Sequence, residues 1–391
     1  MEERKSYWQQ IDYTLLFLLF LLMCISLLAI YSAGGQQYFV EPSHFVKRQV
    51  LWLVVGLVFM IGIMTIDFDL FRNFSIPLYI VGIIMLFLVE IIGVERNGSQ
   101  RWIDLGGFFL LQPSEFVKIF VVIALAHLLY RVTKDGREKG FTSDIVLVGK
   151  ILAIGLPPFF LILKQPDLGT ALVIASIMAT MILMAGVSWR VIGLLGAMVA
   201  SGLGLLVWLH NNHPQIFSKF IKNHQMERIY GWLQPEEYAA SHAYQLVEAL
   251  RGIGSGQLYG SGFMNGIQSQ SGRVPEIHTD FIFTIIGEEF GFIGATVLLV
   301  IYFFLFYRMI LIAFSCNNLF GTYIVAGIVG LFVFQIFQNI AMTIGLMPVT
   351  GLALPFISYG GSALMTNMLA IGIVLNIKMR TRYYMFETEE A

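Results

Sequence analysis

Residues 273–294 read RVPEIHTDFIFTIIGEEFGFIG. From Asp280 onward the stretch is apolar, and the polar, glycine-rich segment before it reaches back to about His210. A chain that turns at an acidic residue from polar sequence into a run of about 20 apolar residues is entering a membrane. An acid at the mouth of a membrane helix could do chemistry on a substrate whose other end lies in lipid. It could equally be an N-cap, since Asp is favoured there and a carboxylate suits the positive end of the helix dipole. The residues leave both readings open.

Working outward, the rest of the chain is built the same way. Its 391 residues are 57% hydrophobic and 13% charged, against about 25% charge in a soluble domain. The expectation is an all-α, polytopic membrane protein of about ten transmembrane helices. Residues 1–391 form one transmembrane domain, with a large extracellular loop, 210–280, between helices 7 and 8. The spans fall at 13–31, 50–66, 76–93, 115–130, 146–163, 168–185, 190–209, 281–306, 321–344 and 360–378. The N-terminal MEERKSYWQQIDY runs into the first span with no small-residue cleavage site, so that helix reads as retained.

Basic residues set the orientation. With cytoplasmic termini, the short inner segments carry twelve: Arg4, Lys5, Arg72, Arg131, Lys134, Arg137, Lys139, Arg190, Arg308, Lys378, Arg380 and Arg382. The short outer segments carry five: Lys47, Arg48, Arg96, Arg101 and Lys164. The positive-inside rule therefore places both termini in the cytoplasm and the conspicuous loops outside. No basic tail or stripe of the kind nucleic acid requires is present, and two distant cysteines imply neither a disulfide framework nor a metal cluster. There is no P-loop, dinucleotide fingerprint or serine elbow.

The long loop holds Phe217, Phe220, Tyr230, Trp232, Tyr238 and Tyr244, too many aromatics for disorder. Short interfacial helices are expected, one from an N-cap at Ser241 to Gly252, followed by repeated turns through the glycines of 254–272. Five of the seven histidines lie in this loop, but His210 and His213 lack cysteine or carboxylate companions at ligand spacing, which argues against zinc; the metal set stays unknown.

Intramembrane charges are the other candidates. Glu115 and Lys118 stand at i and i+3 at the start of the fourth span, either an anchoring pair or a group that orients substrate. Glu288 and Glu289 lie about two turns into the eighth span, and eight residues should put Glu288 on the face of Asp280. For an anion, Arg101 beside Trp102, Lys164, Arg251, Arg273 and the amides at Gly360-Gly361 are available, each also explicable as an interface or turn residue.

Five stretches taken together, NGSQRWIDLG (97–106), QPSEFVK (112–118), QPDLGTA (165–171), VPEIHTDFIFTIIGEEFGFIG (274–294) and MPVTGLALPFISYGGS (347–362), resemble the SEDS family (shape, elongation, division and sporulation) in order over about 10–379. The short N-terminus and near-absent cytoplasmic tails look most like its elongation branch, RodA. Ala363 departs from a small residue, Ser, common in the family there. The resemblance implies a peptidoglycan glycosyltransferase of the bacterial plasma membrane that polymerises lipid II during cell-wall elongation and cell-shape maintenance. It implies a class B penicillin-binding protein and other elongation-complex proteins as partners. No organic cofactor is implied, but a divalent cation, Mg2+ or Mn2+, is. It points to Asp280 as the essential acidic residue and to Arg101, Trp102, Glu115 and Lys118 as functionally sensitive.

The chemistry accommodates one carboxylate. A sugar hydroxyl is a weak nucleophile that a positioned base assists. A diphosphate leaves without a proton once its charge is neutralised, unlike the alkoxide of a glycosidase. Asp280 as base, with Arg101, Arg273, Lys118 or Mg2+ on the diphosphate, is the expected inventory. Two other readings stay open: a lipid II flippase or other lipid transporter, and a non-catalytic scaffold for a penicillin-binding protein.

Overall fold

In a bilayer every backbone polar group must be satisfied inside the protein, and helices do this segment by segment. The computed structural model describes residues 10–34, 43–96, 99–104, 106, 110–138, 140–215, 217 and 223–384. Arg4, Lys5, Asn97, Gly98, Lys139 and Phe220 lie outside the described residues. Among the described residues nine helices are long and apolar enough to cross a membrane. In chain order, and with one shorter apolar helix among them, the first seven are α1 (Tyr13–Gly34), α2 (Ser43–Thr65), α3 (Phe68–Ile92), α4 (Pro113–Lys134), α5 (Phe141–Lys164), the shorter α6 (Leu168–Met184) and α7 (Trp189–Asn212). Loop helices α8 (Asn223–Leu233), α9 (Tyr244–Gly256) and α10 (Ile267–Gln270) follow. Then come α11 (Ile282–Glu289), α12 (Gly291–Ser315), α13 (Leu319–Thr343) and α14 (Gly361–Tyr384).

Local chemistry sets the helix ends. Asp67 accepts from Asp69 N, Asp167 from Thr170 N and Asn318 from Phe320 N, each supplying an acceptor to an orphan amide. Pro113 opens α4, where its missing N–H costs nothing. At the end of the bundle that holds Asp67 the basic residues find acids: Arg308 pairs with Asp12 at 2.8 Å, Arg380 with Asp67 at 3.0 Å, and Arg137 with Asp144. The core runs through α14, α13 and α4, whose apolar windows are 83%, 61% and 50% buried, whereas α7 is 6% buried and lies at the periphery. α14 lies along α2 because Gly361, Gly56 and Gly372 leave room; a Cβ at Gly361 would stand 2.9 Å from the Trp52 ring and one at Gly372 would meet Ile63.

Two expectations need correction. The eighth span is not continuous over 281–306: it breaks at Phe290–Gly291 into α11 and α12, with Gly291 at φ +66°. A break strands carbonyls at the end of one helix and amides at the start of the next. The glycine-dense loop answers them. Ser261 N donates to Glu288 O, Gly262 N to Glu289 O, while Phe292 N and Ile293 N donate to Gln257 O and Leu258 O. The loop comes this close because a Cβ at Gly256 or Gly260 would collide with the backbone of residues 287–290. Second, Ser241 caps nothing: α9 starts at Tyr244, and the Ser241 hydroxyl bonds Tyr238 O. The segment after α3, to which the sequence assigned no element, is a small antiparallel sheet in the order β1 (Val94–Arg96), β2 (Ser99–Asp104), β3 (Leu110–Leu111).

Candidate active site

The turn over residues 276–281 presents Asp280, and the capping reading fails on geometry. The residue at the cap of α11 is Phe281, and it makes no side-chain cap bond. The backbone around Asp280 is held instead by its neighbours. Asn339, fully buried on α13, donates to Asp280 O at 2.8 Å and to Leu352 O at 2.6 Å. Ser358 Oγ donates to Thr279 O, and Tyr359 N to His278 O. The segment between α13 and α14 thus wraps the acid. Gly351, at φ +74°, brings its backbone against the carboxylate: a Cβ there would lie 3.2 Å from Asp280 Oδ2.

The carboxylate itself is bare. No group among the described residues hydrogen-bonds its oxygens in the structure. Burial pushes its pKa up to about 7, the Glu276 carboxylate adds to the rise, Arg101 and Arg228 oppose it, and Asp167 reinforces it. Three other stretches, carrying Arg101, Asp167 and Arg228, thus bring charge to one acid. Arg101 reaches across from β2 and pins the turn before α6, donating to Gln165 O and Pro166 O, with Nη1 3.7 Å from Asp167 Oδ1. Asp167 is shared between that arginine and the first turn of α6, where Thr170 N and Oγ1 donate to it. Arg228 comes from α8, which Trp232 docks onto Gly345 O at 2.9 Å. Its side chain is solvent-exposed, yet partial desolvation and then the nearby Arg101 draw its pKa below the ordinary arginine value. His278 packs at a tilt against Phe45 and Tyr359 with ring centroids 4.7 and 5.7 Å away, and burial lowers its pKa.

The other sequence candidates divide sharply. Arg101 joins the cluster. Trp102, the next residue on the strand and so on its other face, pairs with Val94 in the hairpin. Arg273 is exposed, with no hydrogen bond or ion pair among the described residues, and is not among the charges that bear on Asp280. Lys164 and Arg251 are occupied by Glu90 at 2.8 Å and Glu248 at 2.6 Å. Glu115 and Lys118 are 5% and 1% exposed and pair at 2.8 Å inside the bundle. Lys118 Nζ also donates to Gln335 Oε1, whose amide donates to Ala353 O, so the pair supports the loop around Asp280 from beneath.

Glu288 does not share a face with Asp280. The helix break and its full burial direct it to the loop, where Gln268 N and Ser269 N each donate to one of its oxygens at 2.7 Å. Glu289 gathers Ser32, Ser269 and Gln270 side chains and Met264 N. Asp167, Arg228 and Glu276 were not singled out by sequence reasoning. Asp167 was in plain view inside QPDLGTA, and Arg228 sits in the amphipathic NHQMERIYGWL helix, the one local signal for it.

Comparison with known proteins gives a consistent picture. A family model described as a cell cycle protein, FtsW/RodA/SpoVE, matches residues 13–383. A probable peptidoglycan glycosyltransferase FtsW of Trichlorobacter lovleyi is 36% identical over 372 residues, 94% of this chain and 92% of that protein. The peptidoglycan glycosyltransferase MrdB of Escherichia coli K12 is 34% identical over 376 residues, 96% and 95%. Among solved structures, a chain from a study of how a peptidoglycan synthase complex coordinates polymerization and crosslinking superposes with a TM-score of 0.78 at 29% identity, covering 95% of this chain and 98% of that one.

Proposed function

The chain belongs to the FtsW/RodA/SpoVE family, the SEDS proteins, and from that footing we propose that Asp280 is the base with which it joins lipid II into glycan strands. It is a peptidoglycan glycosyltransferase, as its curated relatives are named. The observation that carries the site assignment is the bare Asp280 carboxylate, pushed to about 7 and faced by two arginines. A base whose pKa lies near the working pH combines a useful ionised fraction with real basicity.

The sequence of events follows from the charges. The acceptor hydroxyl approaches Asp280, which takes its proton as the oxygen attacks the anomeric carbon of the donor. The bond to the diphosphate breaks on the opposite face, so an α-linked donor becomes a β-linked unit. Arg101 and Arg228 neutralise the departing diphosphate, Arg228 in the place that Arg273 or Lys118 was expected to fill. Polyprenyl tails stay in lipid, and only the headgroups enter the cleft.

A divalent cation is part of the proposal. Mg2+ is commonly held by one or two carboxylates plus substrate phosphates; Asp167 would be the carboxylate that shares it with the diphosphate, leaving Asp280 free as the base, and among the described residues no three acids, histidines or cysteines form a cage. The remaining assignments are also proposals: cytoplasmic termini, a role in elongation and cell shape, other elongation-complex proteins, and a class B penicillin-binding protein that crosslinks the strands. The synthase complex whose chain this fold resembles supports that last partner.

The test is gel-resolved polymerisation of labelled lipid II by purified protein with its cognate penicillin-binding protein, in moenomycin to silence classical glycosyltransferases. Long glycan is expected. Transfer of lipid II across vesicles without glycan would favour the flippase, and neither activity would favour the scaffold.

A further inference from the structure

We propose that the cleft between α4 and α5, at the end of the bundle away from Asp280, binds the phosphate headgroup of an anionic phospholipid. This is independent of the catalytic reading. The cleft measures about 200 Å3, and its polar lining is Arg137, Thr142, Ser143 and Lys150. At about 30 Å3 per water it has room for roughly six waters, enough for a phosphate and its ester arm.

The polar lining of the cleft is rich in donors, several of them without an acceptor among the described residues. α5 starts after Gly140 with no side-chain cap, and the first helical bond is Asp144 N to Gly140 O, so the amides of residues 141–143 have no intrahelical partner. Thr142 and Ser143 add hydroxyls that no other described residue bonds. Arg137 is clamped at the rim by Ala185 O and Asp144, with its side chain 11% exposed, yet its Nε is buried and unpartnered. Asp144 is itself consumed by Arg137 and Ser188 N.

Lys150 completes the set. It lies about two turns further along the same face of α5, within a membrane span, and none of the acids among the described residues pairs with it. A cation at such depth ordinarily has a partner, and basic pockets between membrane helices bind phospholipid headgroups. The partner must arrive from the lipid side: Val146, which lines the cleft, is 52% exposed to the bilayer, so acyl chains can lie along it while the phosphate bridges Lys150 and the helix start. A lipid fits that geometry better than a soluble ion.

Native mass spectrometry of the purified full-length protein tests this with phosphatidylglycerol, phosphatidylcholine and inorganic phosphate as probes. Phosphatidylglycerol should be retained in preference to phosphatidylcholine. Lys150→Gln should weaken retention about fivefold, the share of one basic residue near a charged headgroup, whereas Lys150→Arg should keep it. Lys150 is exposed, so neither variant threatens the fold. Equal retention of both lipids, an unchanged Lys150→Gln, or displacement of the lipid by millimolar inorganic phosphate would overturn the proposal.

Discussion

Asp280 and Glu288 stand eight residues apart, and the protein treats them in opposite ways. Glu288 has no exposed surface, and both its oxygens accept amides of the loop that wraps the helix break. Asp280 has charges around it but no donor on its oxygens among the described residues, and burial lifts it to about 7. A carboxylate whose lone pairs are filled is part of the scaffold. One kept bare, with two acids raising its pKa against two arginines, carries free energy that a ligand or a proton can relieve, which is the condition of a base awaiting its substrate.

The largest effect should come from the bare acid. Asp280→Ala should lower lipid II polymerisation by about 10^2–10^4-fold, the usual share of a general base, with a thermal midpoint no lower than wild type. A matching loss of folded protein would erase the contrast with Glu288. Next in size is the buried pair beneath the loop. Lys118→Met alone leaves Glu115 buried and unpaired, which should cost about 3–5 kcal/mol, while a double replacement of Glu115 and Lys118 by uncharged side chains should recover much of it. A double-mutant cycle on thermal unfolding in detergent measures this. Glu288→Ala should cost about 2–3 kcal/mol by stranding two amides, seen as a lower midpoint, with activity per folded molecule falling far less than in Asp280→Ala.

The smallest effect is the most diagnostic. Polymerisation should rise with pH through about 7 as Asp280 loses its proton. Glu276 raises that pKa and Arg228 lowers it. Glu276→Gln should therefore move the acidic limb to lower pH, and Arg228→Gln should move it to higher pH. Rate profiles from pH 5.5 to 8.5 separate the two; shifts of the same sign would break the assignment.

How much was legible in the sequence follows from the same physics. Hydropathy finds spans because the bilayer demands them: the crowded helices α5–α7 lie within about five residues of their expected ends, whereas α2 and α3 start at Ser43 and Phe68, well ahead of the expected 50 and 76. The break at Gly291 was hidden because the residues on both sides are apolar; what allows it is a backbone torsion and a distant loop supplying hydrogen bonds. Asp280 and Arg101 were visible as charges in apolar or motif-rich surroundings. Arg228 was not, because only the docking of α8 through Trp232 turns one arginine of a loop helix toward the acid. Arg273 misled for the converse reason: nearness in sequence to Asp280 does not bring its side chain there.

The most direct test of the central claim is Asp280→Asn, which removes the charge and keeps the shape. Wild type and variant, purified at equal folded yield, would be given labelled lipid II with the cognate penicillin-binding protein in moenomycin, and the products resolved on a gel. The expected result is long glycan from wild type and none from Asp280→Asn. Glycan from Asp280→Asn at the wild-type rate would contradict the account, returning Asp280 to a structural role and leaving the base to be found elsewhere.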